Sequence, residues 1–261
     1  MTEVDEDLSL ALSVADEADA LTLRAFQRAD FTVETKADRT PVTEVDRGTE
    51  IVIRRTLEGA RRDDAVVGEE YGTTGAGDRR WIIDPIDATK NFVRGIPVWA
   101  TLIALEAAGK LVVGVVSAPA LGRRWWAGRG EGARAGGPGG PGDPIRVSTI
   151  ASLEDAQLSN SSLDGWADRG QLEGFLGLAL RCRRNRAFGD FWSHMLVAEG
   201  ACEVGLDPVV SLWDLAALQV IVEEAGGRFT DLDGVPRADG GSAVSSNGLL
   251  HDAALAALHG R

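Results

Sequence analysis

Two aspartates three residues apart, Asp84 and Asp87, close the apolar run Trp81-Ile82-Ile83. Paired hard carboxylates suit Mg²⁺, and Mg²⁺ chemistry acts on phosphates. The run reads as a short buried strand that Pro85 ends, because proline has no N–H to give to a ladder. Asp84 and Asp87 then flank a tight turn, and from Thr89 a helix opens whose free N–H groups face an anion. The same residues also make an ordinary strand-to-helix connection with a capping residue. The turn alone leaves both readings open.

Acidic residues elsewhere extend the pattern. Glu69 and Glu70 follow the strand Ala65-Val66-Val67 between two glycines. Paired acids there are costly to bury unless something positive sits beside them, and a surface loop explains them as cheaply. Asp46 stands three residues after Thr43, and Asp214 three after Ser211. That is the capping-box spacing, so each has a structural explanation beside a chemical one. The basic run Arg181-Cys182-Arg183-Arg184-Asn185-Arg186 stands out in an acidic chain, although a solvated strand face accounts for it equally. His194 is expected on a helix surface or at an interface, and His251 and His259 are given no role.

These residues need elements to hold them. Residues 5–28 predict an amphipathic helix with Leu8, Leu12, Ala15, Ala18, Leu21 and Ala25 inward, and acids early and arginines late suit its dipole. A second helix follows Thr43, with Val45, Thr49, Val52, Ile53 and Leu57 inward. Residues 98–106 and 111–117 form a hairpin through Ala108-Gly109, and 123–127 continue the sheet with Trp125 and Trp126 packed on it. The Gly/Pro-rich stretch 136–144 is an exposed loop near a domain boundary. It separates an N-terminal α+β domain, 1–143, from a C-terminal α/β domain, 144–261. Beyond it come a strand at 156–161 and a helix at 166–180 with Leu172, Phe175, Leu176 and Leu180 on one face. A helix at 191–200, a strand at 201–206 and a helix at 214–225 stopped by Gly226-Gly227 follow. Strands at 228–230 and 242–246 and a terminal helix at 249–258 complete an α/β alternation.

Composition narrows the function. The chain has 261 residues, 44% of them apolar, enough for a sizeable core. A net charge of −13 argues against general nucleic-acid binding. No apolar run reaches about 18 residues and no basic-then-apolar leader is seen, so a cytoplasmic protein is expected. Cys182 and Cys202 lack zinc spacing and read as packed thiols.

Gly68-Glu69-Glu70, Asp84-Pro85-Ile86-Asp87 and Trp213-Asp214, heading a helix that ends Glu224-Ala225-Gly226-Gly227, occur in that order. With these motifs the sequence resembles the inositol monophosphatase family of Mg²⁺-dependent, lithium-sensitive phosphatases. The resemblance implies an α/β (α+β) fold, a layered αβαβα sandwich, and a homodimer. Glu69, Asp84 and the main-chain carbonyl of Ile86 would hold one Mg²⁺, and Asp84, Asp87 and Asp214 a second. A third ion would sit near Glu69, with Mn²⁺ a substitute. Thr89, paired with Asp46, would orient the attacking water, with Glu69 as a further catalytic group. The N–H groups of Ala88 and Thr89 would hold phosphate oxygens. Ala88 stands where the family usually has glycine, so its methyl penalises any positive φ.

Residues 91–100, Ser117-Ala118-Pro119-Ala120-Leu121 and Gly189-Asp190-Phe191 look most like the actinobacterial type of histidinol-phosphate phosphatase within that family. That likeness implies hydrolysis of L-histidinol phosphate in histidine biosynthesis. Asp190 and Asp207 would meet the ammonium and imidazole of the substrate, and Arg186 would brace Asp190 or meet phosphate. Inositol 1-phosphate and sugar or nucleotide phosphates are alternative substrates. A weakly catalytic homologue that binds metal or a phospholigand is an alternative of another class.

Overall fold

A computed structural model describes residues 2–36 and 40–260. Helix α1 (Glu3–Arg28) is followed by the short pair β1 (Val33–Thr35) and β2 (Pro41–Thr43) and then by α2 (Glu44–Ala60). The strands β3 (Ala65–Gly68), β4 (Gly72–Thr74) and β5 (Arg79–Asp87) lead into the short helix α3 (Thr89–Val93). Next come β6 (Ala100–Ala107), β7 (Lys110–Ala118), β8 (Arg123–Gly128), β9 (Gly132–Gly136) and β10 (Asp143–Pro144). The second half holds β11 (Gln157–Asn160), α4 (Leu163–Asp168), α5 (Leu172–Arg181), β12 (Arg184–Arg186) and α6 (Asp190–Ala198). It ends with β13 (Val204–Asp207), α7 (Leu212–Glu224), β14 (Arg228–Thr230), β15 (Ala243–Ser246) and α8 (His251–Leu258).

Apart from β1 and β2, which pair only with each other, the strands form an eight-stranded sheet, ordered β10-β9-β8-β7-β6-β5-β3-β4, and a five-stranded sheet, ordered β12-β11-β13-β15-β14. Helices α1 and α2 cover one face of the larger sheet, where Ala11, Val14, Ile53 and Leu57 meet Trp81, Ile83, Ile103 and Val115. Helices α6 and α7 fill the space between the sheets, with Phe191, Met195, Leu215 and Ile221 against Ile82, Leu102, Val116 and Trp125. Helices α4, α5 and α8 close the far side, where Trp166, Phe175 and Ala254 pack on Leu158, Val204 and Val244. The order of layers is the expected αβαβα sandwich. The larger sheet takes strands up to Pro144 and the smaller one those from Gln157.

Local chemistry explains where the structure departs from the sequence reading. Pro85 does not end its strand: β5 runs on to Asp87, and the register against β6 shifts between Asp84 and Asp87. A proline inside such an irregularity needs no ladder N–H, and its carbonyl accepts from Thr101 Oγ1 at 2.9 Å. The helix expected over 166–180 is two helices, parted at Gly170 with φ +67°. On α5 the buried residues are Phe175 and Leu178, while Leu176 and Leu180 are 45% and 86% exposed. On α1, Leu21 is exposed and Asp7 and Asp19 are buried instead. Asp7 can be buried because Arg61 and Arg79 bond it, and Asp19 because Arg124 and Ser117 do. The 108–109 hairpin forms as expected, with φ positive at both Ala108 and Gly109, as a type I′ turn requires.

Candidate active site

The irregular end of β5 and the first turn of α7 point at each other. Carboxylate oxygens of Asp84, Asp87 and Asp214 lie within 4.8 Å of one another. Each is steadied by one backbone N–H. Asp84 accepts from Ile86 at 2.9 Å, Asp87 from Phe191 at 2.9 Å and Asp214 from Ser211 at 2.7 Å. The Asp214 contact is the N-cap bond that the sequence spacing predicted, so one residue both caps α7 and joins the cluster.

Burying three acids together is unfavourable without a cation, and the pKa values register this. Burial, then the charges of Glu69, Asp87 and Asp214, push Asp84 well above the ordinary carboxylate range. Burial, then Asp190 and Asp214, raise Asp87 similarly. Burial first, with Glu69 and Asp207 adding to it, moves Asp214 up to about 7. Convergent, buried, hard oxygen donors that repel one another fit a divalent metal ion.

Glu69 reaches the same cavity from the end of β3. Its loop is fixed from below by Glu50, which is fully buried and accepts from the N–H groups of Glu70 (2.7 Å) and Tyr71 (3.1 Å) and from Arg54 Nε (2.7 Å). Gly68 leaves room for this support, since a Cβ there would sit 2.1 Å from Glu50 Oε1. Lys36 Nζ bridges Glu69 at 2.7 Å and Glu70 at 2.5 Å. Burial would lower the Lys36 pKa, but its bonds to the two glutamates outweigh that and raise it. Sequence reasoning missed Glu50 and Lys36 as parts of the site.

Thr89 joins Asp46 to this group. Asp46 Oδ2 takes the Thr43 N–H (2.9 Å) and hydroxyl (2.5 Å), while Oδ1 lies 3.2 Å from Thr89 Oγ1. The same Thr89 oxygen lies 2.9 Å from the Ile86 carbonyl. Burial raises the Asp46 pKa against the opposing effect of its Thr43 bonds. Capping and site duty therefore fall to opposite oxygens of one carboxylate. Ala88 stands between them with φ +65° and ψ +44°, the left-handed region that its methyl disfavours.

Lys36, Glu69, Asp84, Ile86, Asp87, Ala88, Thr89 and Asp214 line one cavity of about 570 Å³, which Asp190 and Asp207 line as well, while Asp46 and Glu50 support it from behind. Asp190 opens α6 with φ +48°, and its pKa is pushed up to about 6 by burial and then by Asp207. Arg186 is not brought there: it is exposed on the edge strand β12, and its Nη1 donates to the Asn185 carbonyl. His194, expected on a helix surface, is 0% exposed instead. Its Nε2 lies 2.7 Å from Asp207 Oδ2 and its Nδ1 2.7 Å from Ser245 Oγ. His251, given no role, is buried too, between Thr230 and Ser246. Cys182 and Cys202 are buried free thiols, as expected.

A layered α/β core that gathers carboxylates around one cavity suits a phosphoric monoester hydrolase, the class to which its relatives and its family assign it. The chain belongs to the inositol monophosphatase family, whose model matches residues 3–260. It is 56% identical to a histidinol-phosphatase of Mycobacterium tuberculosis over 97% of this chain and 98% of that one. It is 52% identical to a histidinol-phosphatase of Streptomyces coelicolor over 100% of both. Among solved structures, the Thermotoga maritima IMPase superposes with a TM-score of 0.87 at 32% identity, covering 98% of this chain and 97% of that one.

Proposed function

We propose that the protein is a Mg²⁺-dependent phosphatase that hydrolyses L-histidinol phosphate to L-histidinol and phosphate in histidine biosynthesis. The observation that carries this reading is the second pair of acids, Asp190 and Asp207, which line the same cavity as Glu69 and the aspartate cluster. Histidinol phosphate presents an ammonium and an imidazole beyond its phosphate, and both suit carboxylates. Inositol phosphate presents only hydroxyls there, which would leave two crowded acids with the Lys90 charge alone to offset them. The two histidinol-phosphatases, 56% and 52% identical, support the same choice.

Asp84, Asp87, Asp214, Glu69 and the Ile86 carbonyl would hold two to three Mg²⁺, with Mn²⁺ a substitute. When bound, such ions activate water and stabilise a leaving alkoxide. The rest is done by the chain. Thr89 orients the attacking water and relays a proton toward Asp46, whose burial makes it a stronger base than an exposed aspartate. The N–H groups of Ala88 and Thr89 hold phosphate oxygens. As water adds to phosphorus, the ester P–O bond breaks with its electron pair on the histidinol oxygen, which takes a proton from solvent water and so balances the one given up toward Asp46. Asp190 and Asp207 hold the cationic half still while this happens.

Among the described residues no helix is long and apolar enough to cross a membrane. We place the enzyme in the cytoplasm as a homodimer; light scattering should give twice the 27.6 kDa chain mass. Phosphate release with Mg²⁺ tests the substrate. Turnover of L-histidinol phosphate should exceed that of inositol 1-phosphate by about tenfold or more, and comparable or faster turnover of the inositol ester would overturn the reading. Asp84→Asn should abolish Mg²⁺-dependent turnover, and full activity in that variant would remove the metal assignment.

A further inference from the structure

We infer that His194, locked by Ser245, is a positioning residue that aims Asp207 at the cationic half of the substrate. The inference rests on the histidinol phosphate reading above.

Hydrogen-bond chemistry fixes one proton of the ring. A carboxylate can only accept, so the 2.7 Å contact to Asp207 Oδ2 requires the proton on His194 Nε2. Nδ1 lies 2.7 Å from the Ser245 hydroxyl, which donates to it when the ring is neutral and accepts from it when the ring is charged. The ring is oriented by two neighbours on adjacent strands, since Asp207 ends β13 and Ser245 lies on its antiparallel partner β15. The Phe229 ring packs beside the imidazole with centroids 5.6 Å apart.

The backbone makes room for this pair. A Cβ on Gly205 would lie 2.6 Å from Ser245 Oγ and 3.3 Å from His194 Nδ1. Gly205 is not among the residues with positive φ, so the demand for glycine there is one of space. Gly205 itself faces Ser245 across the β13·β15 ladder.

What the pair supports is half finished. Asp207 is 2% exposed and lines the cavity, and its Oδ1 has no hydrogen-bond partner among the described residues. Leaving a buried carboxylate oxygen unpaired is unfavourable, so a fold that only needed Asp207 as a spacer would have satisfied both oxygens. With Oδ2 tied to His194, Oδ1 has one orientation left. A cationic N–H donor, ammonium or imidazolium, completes it.

The test compares kcat/KM on L-histidinol phosphate with that on glycerol 2-phosphate, which carries no cation beyond its phosphate. His194→Phe keeps a ring and loses both hydrogen bonds. The ratio should fall about tenfold, mainly through KM for the cationic ester. His194→Gln, whose amide can still donate to Asp207, should restore most of the ratio. Ser245→Ala should lower it about threefold, because the ring loses its lock but keeps its donor. A folded His194→Phe protein with an unchanged ratio, or with both rates falling together, would overturn the inference. If that variant fails to fold, Ser245→Ala and Gly205→Ala decide, and an unchanged ratio in both overturns it equally. The two readings fail separately. A wild type with no preference for histidinol phosphate sinks the substrate assignment, whereas a preference that survives His194→Phe sinks only the role of His194.

Discussion

Ala88 is the residue at which backbone and chemistry disagree. Its left-handed conformation costs an alanine roughly 1–2 kcal/mol relative to the right-handed region, and glycine almost nothing. Ala88→Gly should therefore raise the thermal midpoint by about 2–4 °C, the shift expected from ~1 kcal/mol in a chain of this size. A lower midpoint in differential scanning calorimetry would show that the methyl contributes packing that outweighs the strain. A rise in turnover of about two orders of magnitude or more would instead favour the weakly catalytic alternative. The acids around Ala88 were legible because ligation and capping ask for the same residue at the same spacing, as Asp46 and Asp214 show. His194 was not, because reading it as a surface residue assumed that α6 has an exposed face. Phe191, Ser193, His194, Met195, Val197 and Ala198 are all buried, and the nearly continuous apolar run around His194 was the available signal.

At the scale of elements, the cluster depends on how closely α7 lies on the larger sheet. All of its residues from Leu215 to Val222 are buried. Gly114 on β7 sets the approach: a Cβ there would lie 2.5 Å from the Ala217 carbonyl and 3.1 Å from Val220 Cβ. Gly114→Ala must push α7 outward and carry Asp214 with it. Overpacking of this kind costs about 1–3 kcal/mol. The variant should melt lower and need several-fold more Mg²⁺ for half-maximal activity; a lower midpoint with an unchanged Mg²⁺ requirement would show that Asp214 does not follow the helix. Elements with local signals were the readable ones, such as the Ala108-Gly109 hairpin and the capped start of α2. Elements decided by tertiary context were not. The continuation of β5 through Pro85 depends on what β6 offers across the ladder. The break at Gly170 lies inside a stretch whose apolar residues suit one helix as well as two.

For the whole molecule, the net charge of −13 argued against general nucleic-acid binding but could not reveal where the acids of the site lie. The fold brings six of them, Glu69, Asp84, Asp87, Asp190, Asp207 and Asp214, to a single cavity, so stability, protonation and metal binding should be linked. Asp190 and Asp214 have folded-state pKa values of about 6 and about 7, against an ordinary 3.8, and Asp84 and Asp87 are raised as well. Between those limits the folded chain holds protons that the unfolded chain has released. Raising the pH therefore favours unfolding there. The contribution of these acids is complete below about pH 4 and is lost as the pH climbs through about 7. Without metal, the thermal midpoint should fall between about pH 5 and pH 8 on account of this cluster. The proposed Mg²⁺ would act in the opposite sense, because it would supply the missing positive charge and needs the carboxylates ionised. Its stabilising effect should be larger at about pH 8 than at about pH 6, where it must first displace protons. Thermal melts with Mg²⁺ and with a chelator at both pH values test this, and Asp84→Asn should flatten the difference. An Mg²⁺ gain that is equal at the two pH values would mean that these acids do not bind the ion as a protonation-linked set.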